Sequence, residues 1–311
     1  MSDLRGAIKD YLALRRALGH KLLDYDVRLE RFVSFLSKEG ASHITVSLAL
    51  KWAQQPANGT LKTWNKNLAI VRGFAQYVSA ADPHNQVPPK DLLPFDPARA
   101  KPYIYTETEI LRLMEAARAI RSYYGLRGQT YYCLIGLLTV TGLRIGEALR
   151  LRREDVDLDA GLLTIVESKF GKSRLVPIHS TTVEALAEYS RRRDAFLGKV
   201  TVPRFFVSEP NKMPLTYSPV RTMFAKLSRK VGIRGPQDQR GPRLHDIRHR
   251  FAVETLLGWY RRGDDVERQL PVLSAFLGHD GIQDTYWYLS STPELLGAVC
   301  SRLEKRWEEA R

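Results

Sequence analysis

Apolar side chains recur at helical spacing through most of the chain. Leu4, Ile8, Tyr11 and Leu12 share one face of a first helix, and Tyr25, Leu29, Phe32 and Leu36 share one face of a second, with Gly40 placed as its left-handed C-cap. A shorter helix is expected after Thr45. A fourth, from about Thr60, turns Leu61, Trp64, Leu68, Val71 and Tyr77 inward, and its other face carries Lys62 and Lys66, with Arg72 more to the side. Residues 82–104 then lose all period and contain Pro83, Pro88, Pro89, Pro94, Pro97 and Pro102, which reads as an extended connection. The pattern divides the chain into a helical unit at 1–95, a linker at 96–104 and a second unit at 105–311.

The second unit opens on Thr106-Glu107-Thr108-Glu109, a capping-box pattern ahead of Ile110, Leu113 and Met114. An apolar helix runs from Gly128 to Thr141-Gly142, and another starts at once with Leu143-Arg144-Ile145-Gly146-Glu147, which puts Arg144 at a sharp junction. The period then changes. Leu162 to Val166 and Leu175 to Ile178 read as two strands of a hairpin whose tip carries Lys169, Lys172 and Arg174. Helices are expected over Thr182–Phe196 and Ser218–Val231, the latter bearing Arg221, Lys226, Arg229 and Lys230. A helix beginning near Leu244 places His245 and Arg248 three residues apart on one face, and Gly258 to Gly263 reads as a polar break after it. The tail from Thr292 to Trp307 has Leu295, Leu296, Val299 and Leu303 at helical spacing, suited to packing on its own unit or on another subunit.

Charge narrows the partner. The 311 residues hold 48 Lys plus Arg against 34 Asp plus Glu, a formal net charge of +14, so the chain should attract a polyanion. The excess is spread over both units, with 14 basic against 9 acidic side chains in residues 1–100 and 34 against 25 in the remainder, which is unlike an isolated basic tail. No apolar run is long enough to span a bilayer, and a cytosolic location without membrane attachment is expected. Cys133 and Cys300 have no Cys-x-x-Cys partner and read as buried thiols. Asp155, Asp157 and Asp159 start like a calcium loop, but Ala160 stands where that loop needs Gly and Val166 where it needs Glu.

His245 and Arg248 are a phosphate-handling pair in kind: a guanidinium offers a fixed fork of donors, and an imidazole moves a proton near neutral pH. Further pieces surround them in order. Thr141-Gly142-Leu143-Arg144 with Glu147, the Lys169 hairpin leading into Arg174-Leu175-Val176-Pro177, His245-Asp246-Ile247-Arg248-His249, Leu277-Gly278-His279, and Tyr288 nine residues later together resemble the tyrosine recombinase (phage integrase) family over about 150 residues. The first hundred residues resemble that family's core-binding domain more loosely, by position and helix count.

The resemblance implies a mainly α fold with a small antiparallel hairpin or sheet in the catalytic domain, and two domains that clamp double-stranded DNA. It implies a site-specific recombinase that forms a covalent 3′-phosphotyrosine and uses no metal or other cofactor. Arg144 and Arg248 would stabilise the phosphorane with His279 donating, Lys169 would protonate the leaving 5′ oxygen, and His245 would assist proton transfer. Tyr286 and Tyr288 lie about 200° apart around a helix, so both cannot face one phosphate. Spacing from His279 selects Tyr288 as the nucleophile and leaves Tyr286 for packing; Lys172 remains the alternative to Lys169. Lys62, Lys66, Arg72, Lys172, Arg174, Arg221, Lys226 and Arg229 are candidate DNA contacts. A homotetramer on DNA joined through the C-terminal helix is implied, with partner recombinases in some systems. A longer stretch between Arg248 and His279 reads as an added turn or loop at Trp259 to Leu270, as in recombinases of mobile elements, and with no arm-binding domain, recognition is expected at core sites alone.

Overall fold

A computed structural model describes residues 4–20, 22, 24–55, 59–94, 102–166, 173–238, 241–279, 281–289 and 292–309, excepting the side chains of 303, 305, 306 and 309. The chain divides into two compact units, Met1–Ala100 and Lys101–Arg311. Lys169 and Lys172 lie outside the described residues.

The first unit is built from four helices: α1 (Leu4–Ala17), α2 (Tyr25–Lys38), α3 (Val46–Ala53) and α4 (Leu61–Ser79). Thr45 and Thr60 cap α3 and α4 through their hydroxyls, which accept from Leu48 N and Thr63 N. Leu29, Phe32, Leu68, Val71 and Phe74 are fully enclosed at its centre. Leu61, expected inside, is exposed, because it occupies the first turn of α4 beyond the reach of the core.

The proline-rich stretch is not free from Asp82 onward. Arg72 donates from Nε to Pro88 O (2.7 Å) and from Nη2 to Pro89 O (2.6 Å), and Leu93 joins the core. Asn85, itself buried, accepts from Ile44 N at 3.0 Å, and Gln86 N donates to Ile44 O at 2.8 Å. Prolines donate no backbone hydrogen bond, but their carbonyls accept, and a guanidinium supplies enough donors to tether such a segment. Arg72, expected to face DNA, has its guanidinium committed here instead.

The second unit contains α5 (Glu107–Arg118), α6 (Leu126–Thr141), α7 (Ile145–Arg150), β1 (Val156–Asp157), β2 (Leu162–Ile165), β3 (Arg174–Pro177), α8 (Ser180–Leu197), β4 (Val207–Ser208), β5 (Met213–Pro214), α9 (Tyr217–Lys230), α10 (Leu244–Arg262), α11 (Val266–Leu277), α12 (Gln283–Leu289) and α13 (Pro293–Glu309). The capping box at Thr106 forms as read, with Glu109 N donating to Thr106 Oγ1 and Thr106 N to Glu109 Oε2. Helix α6 is apolar around most of its circumference and lies against α5, α8 and α10. Strands β1, β2 and β3 form an antiparallel sheet in that order, and Ile165 pairs with Arg174 at the tip end of the β2–β3 hairpin.

Helix α10 joins two hydrophobic clusters. Leu244 and Ile247 in its first turns belong to the large cluster around α6, whereas Ala252, Val253, Leu256 and Leu257 belong to a second cluster with α11, α12 and α13. The expected polar break at Gly258 is absent, because Trp259 and Tyr260 pack on that second cluster and their burial carries the helix on to Arg262, where Gly263 ends it in the left-handed region. In place of an added loop, Asp264 and Asp265 connect directly to α11. Cys133 is buried, but Cys300 is exposed on α13. Replacing Asn85 by Ala leaves the buried Ile44 N–H without its acceptor, and urea denaturation should register a loss of about 1–3 kcal/mol.

Candidate active site

The C-terminal end of α11 gathers three arginines from three other elements. Arg174 on β3 donates from Nε to Phe276 O (2.8 Å), Arg248 on α10 donates from Nη2 to Leu277 O (2.9 Å), and Arg144, just ahead of α7, donates from Nη1 to Gly278 O (2.8 Å). The end of α6 contributes a fourth acceptor, Gly142 O, which takes Arg248 Nη1 at 2.9 Å. These carbonyls have no partner within their own helices, and the helix dipole makes them favourable places for cations.

Two glycines permit the approach. Gly278 has a φ of +68°, and a Cβ there would lie 2.6 Å from Arg174 Nη1; Gly142 has a φ of +60°, and a Cβ there would lie 2.6 Å from the Phe251 ring. Either position needs both the left-handed backbone and the absence of a side chain.

One carboxylate serves two of the arginines. Glu147, 3% exposed, accepts from Arg144 Nη1 at 3.0 Å and from Arg174 Nη2 at 2.9 Å, and also takes the backbone N–H of Arg144 at 3.0 Å. Burial pushes its pKa upward, yet the hydrogen bonds and charge of Arg174, then those of Arg144, outweigh burial and leave it below the ordinary glutamate value. Arg248 is 2% exposed, and burial first, then the Arg144 charge, bring its pKa down to about 10. It remains a cation at neutral pH, with its charge raised in energy until an anion arrives.

The titratable rings lie on α10 and around α12. His245 is exposed; the surrounding protein, then the charge of Arg248, lower its pKa. His249 is buried, ring to ring with His245 (4.7 Å between centroids), Trp287 (5.3 Å) and Tyr288 (5.5 Å), and its Nδ1 makes no hydrogen bond. Burial and then the charge of His245 push its pKa down to about 4. Half-buried His279 stacks on Tyr288 at 6.0 Å, and its Nδ1 is 2.7 Å from Thr285 Oγ1. Tyr288 is 3% exposed, whereas Tyr286 is 46% exposed. The expectation that Tyr286 packs is therefore reversed, since the inward face of α12 is the one that carries Thr285 and Tyr288.

Of the residues singled out from sequence, the structure brings together Arg144, His245, Arg248, His279 and Tyr288. Arg174, read as a DNA contact, has its guanidinium bound to Glu147 and Phe276 O inside the site. Lys62, Lys66, Arg221, Lys226 and Arg229 are exposed on α4 and α9, with Arg229 also donating to Asp238 O. Sequence reading missed Glu147 as a shared counter-ion; the three-residue step from Arg144 was the available signal. It also missed Thr285, for which no signal existed.

A family model described as the phage integrase family matches residues 104–294. The chain belongs to the phage integrase family. It is a tyrosine recombinase by that membership, and curated relatives agree: "Putative integrase/recombinase y4rB" of Sinorhizobium fredii is 47% identical, with 99% of each chain covered. Tyrosine recombinase XerC of Chlamydia caviae is 27% identical over 91% of this integrase and 92% of its own length. Among solved structures, the Tn1549 transposon integrase in complex with transposon right end DNA aligns with a TM-score of 0.67 at 18% identity, covering 96% of this chain and 98% of that one. The XerH recombinase in a post-cleavage complex aligns at 0.66 and 21% identity, covering 90% and 79%. At these identities the structural likeness is one of fold.

Two outcomes follow for the integrase. Glu147→Ala leaves two arginines without their counter-charge and should destabilise the folded chain by about 3–5 kcal/mol at pH 7 in urea. Because the folded-state pKa of Glu147 is lowered, that difference is full above the ordinary glutamate value and shrinks as pH falls through the folded one. His249 gives a second slope. Unfolded, it takes a proton near pH 6.5, and folded only near about 4, so wild-type stability should fall by roughly 3 kcal/mol between them, a loss that His249→Phe removes.

Proposed function

We propose that this integrase cuts and rejoins double-stranded DNA at specific sites through a covalent 3′-phosphotyrosine on Tyr288. The observation that supports the reading is the convergence of Arg144 and Arg248 on the end of α11, beside the ring contacts that link His245, His249, Tyr288 and His279. The cationic excess of that cluster matches a phosphodiester, whose transition state carries more charge on its equatorial oxygens than its ground state does.

In the proposed step, Tyr288 Oη attacks phosphorus, the Oη–P bond forms and the P–O5′ bond breaks. The phenolic proton leaves by way of His245, and Lys169 gives a proton to the 5′ oxygen. Arg144, Arg248 and the Nε2 side of His279 hold the non-bridging oxygens. Keeping the phosphate on tyrosine conserves the energy of the broken bond, so that the 5′ hydroxyl of another strand can reverse the step. The exposed cations of α4 and α9, Lys62, Lys66, Arg221, Lys226 and Arg229, supply phosphate contacts that set register on the duplex.

Assembly as a homotetramer on DNA is part of the same proposal. Helix α13 is anchored by Leu295, which is fully enclosed, while Leu296 and Trp307 are exposed. An alternative is a DNA-binding protein of the same fold that cuts only with a partner recombinase. The burial of Tyr288 favours such a dependence, since its hydroxyl must be uncovered to react.

Incubation with a nicked site-containing duplex should yield a denaturant-resistant protein–DNA adduct that Tyr288→Phe abolishes and Tyr286→Phe preserves. Arg248→Ala should slow adduct formation by about 10²–10³-fold. Full adduct yield from Tyr288→Phe rejects the nucleophile; specific binding without adduct on any substrate favours the partner-dependent alternative.

A further inference from the structure

The first unit brings together three metal-ligating side chains that no step of strand cleavage uses. His43 stands between α2 and α3, and Asp82 and His84 follow α4. His43 Nε2 is 3.3 Å from Asp82 Oδ2, and His84 Nδ1 is 2.8 Å from Asp82 Oδ1. The two imidazole centroids are 5.1 Å apart. One donor atom from each side chain lies within 4.8 Å of the other two, and among the described residues no other group of three His, Cys, Asp or Glu side chains meets in this way.

The backbone beneath them is fixed from both sides. Asn85 Oδ1 accepts from Ile44 N, Gln86 Oε1 accepts from Val46 N at 2.9 Å, and Gln86 N donates to Ile44 O. Ile44 and Asn85 are buried, so the bond between them is shielded from water, and together with the Gln86 bonds it holds residues 43 and 82–84 in register. A local turn accounts for part of the cluster, since Asp82 Oδ1 also accepts from His84 N at 3.1 Å. It does not account for His43, which arrives from another segment, 39 residues earlier, and points Nε2 at the second oxygen of the same carboxylate.

The spacing suits a particular kind of ion. Tetrahedral zinc, with bonds of about 2.0–2.1 Å, holds its donor atoms roughly 3.4 Å apart, which the His43–Asp82 pair already matches. Two imidazoles select zinc, nickel or copper over calcium or magnesium, which take oxygen ligands. Ser42 Oγ lies 2.9 Å from His43 Nδ1, and by accepting a hydrogen bond from Nδ1–H it would favour the tautomer that leaves the lone pair on Nε2 for the ion.

We propose that His43, Asp82 and His84 form a site for a divalent transition-metal ion of the zinc type, with a fourth position open to water, that clips the α2–α3 connection to the segment after α4. The role is structural: the ion ties the loop ahead of α3 to the end of α4, the helix that presents Lys62 and Lys66. It is independent of the strand-cleavage proposal.

The test is calorimetric titration of zinc chloride into the full chain after chelator treatment. The wild type should take up one more ion per chain than the His43→Ala/His84→Ala double variant, and each single variant should bind that ion at least about tenfold more weakly. Equal stoichiometry in wild type and double variant overturns the site. Urea midpoints measured in chelator should coincide, which separates loss of ligands from loss of fold. Imidazole NMR signals followed at substoichiometric zinc give a reading without substitution: His43 and His84 should shift first, and first shifts at His245, His249 or His279 instead would reject the proposal.

Discussion

A single buried carboxylate makes the arginine cluster of the second unit possible. Arg144, Arg174 and Arg248 converge on carbonyls at the end of α11, and three guanidinium groups so placed repel one another strongly where water is scarce. Glu147 offsets that repulsion for two of them, taking both Nη atoms of Arg174 and, from Arg144, one Nη and the backbone N–H. Among the described residues, Arg248 has backbone carbonyls alone as hydrogen-bond partners, and burial lowers its pKa. A phosphodiester entering the cluster would supply the missing negative charge, and binding and charge stabilisation would then be one event.

This arrangement ties packing to chemistry. The end of α11 must lie close to β3, α7 and α10 at once, which Gly278 and Gly142 allow by lacking side chains and by taking positive φ. Helix α10 spans the seam between two hydrophobic clusters, so the position of Arg248 depends on both. The rings of His249, Trp287, Tyr288 and His279 then join α10 to α12. Tyr288 is held by the same contacts that cover it, so the proposed reaction would require α12 to yield before the hydroxyl could reach a phosphate.

Much of this was legible before any coordinates. Helices α1, α2, α5 and α6 follow from apolar period and caps, because local burial and backbone satisfaction act over a few residues and leave their mark in sequence. Short motifs in order singled out Arg144, His245, Arg248, His279 and Tyr288, which the fold brings near one another. The failures share a cause. Arg72 and Arg174 looked like surface cations because a sequence shows a charge but not the carbonyl it finds, as far off as Pro88 or Phe276. The break expected at Gly258 and the packing role given to Tyr286 failed because Trp259, Tyr260 and Tyr288 are buried by helices distant in the chain.

The order of residues alone was enough for the fold class, the basic character of both units and the family of the catalytic unit, since these rest on period, composition and motif spacing. Tertiary structure decided which cations are spent internally, which tyrosine is enclosed, and how two segments 39 residues apart set His43 beside Asp82 and His84. Those outcomes depend on donors and acceptors meeting across long separations. No local pattern encodes such meetings, because their energy arises only once the cores have closed.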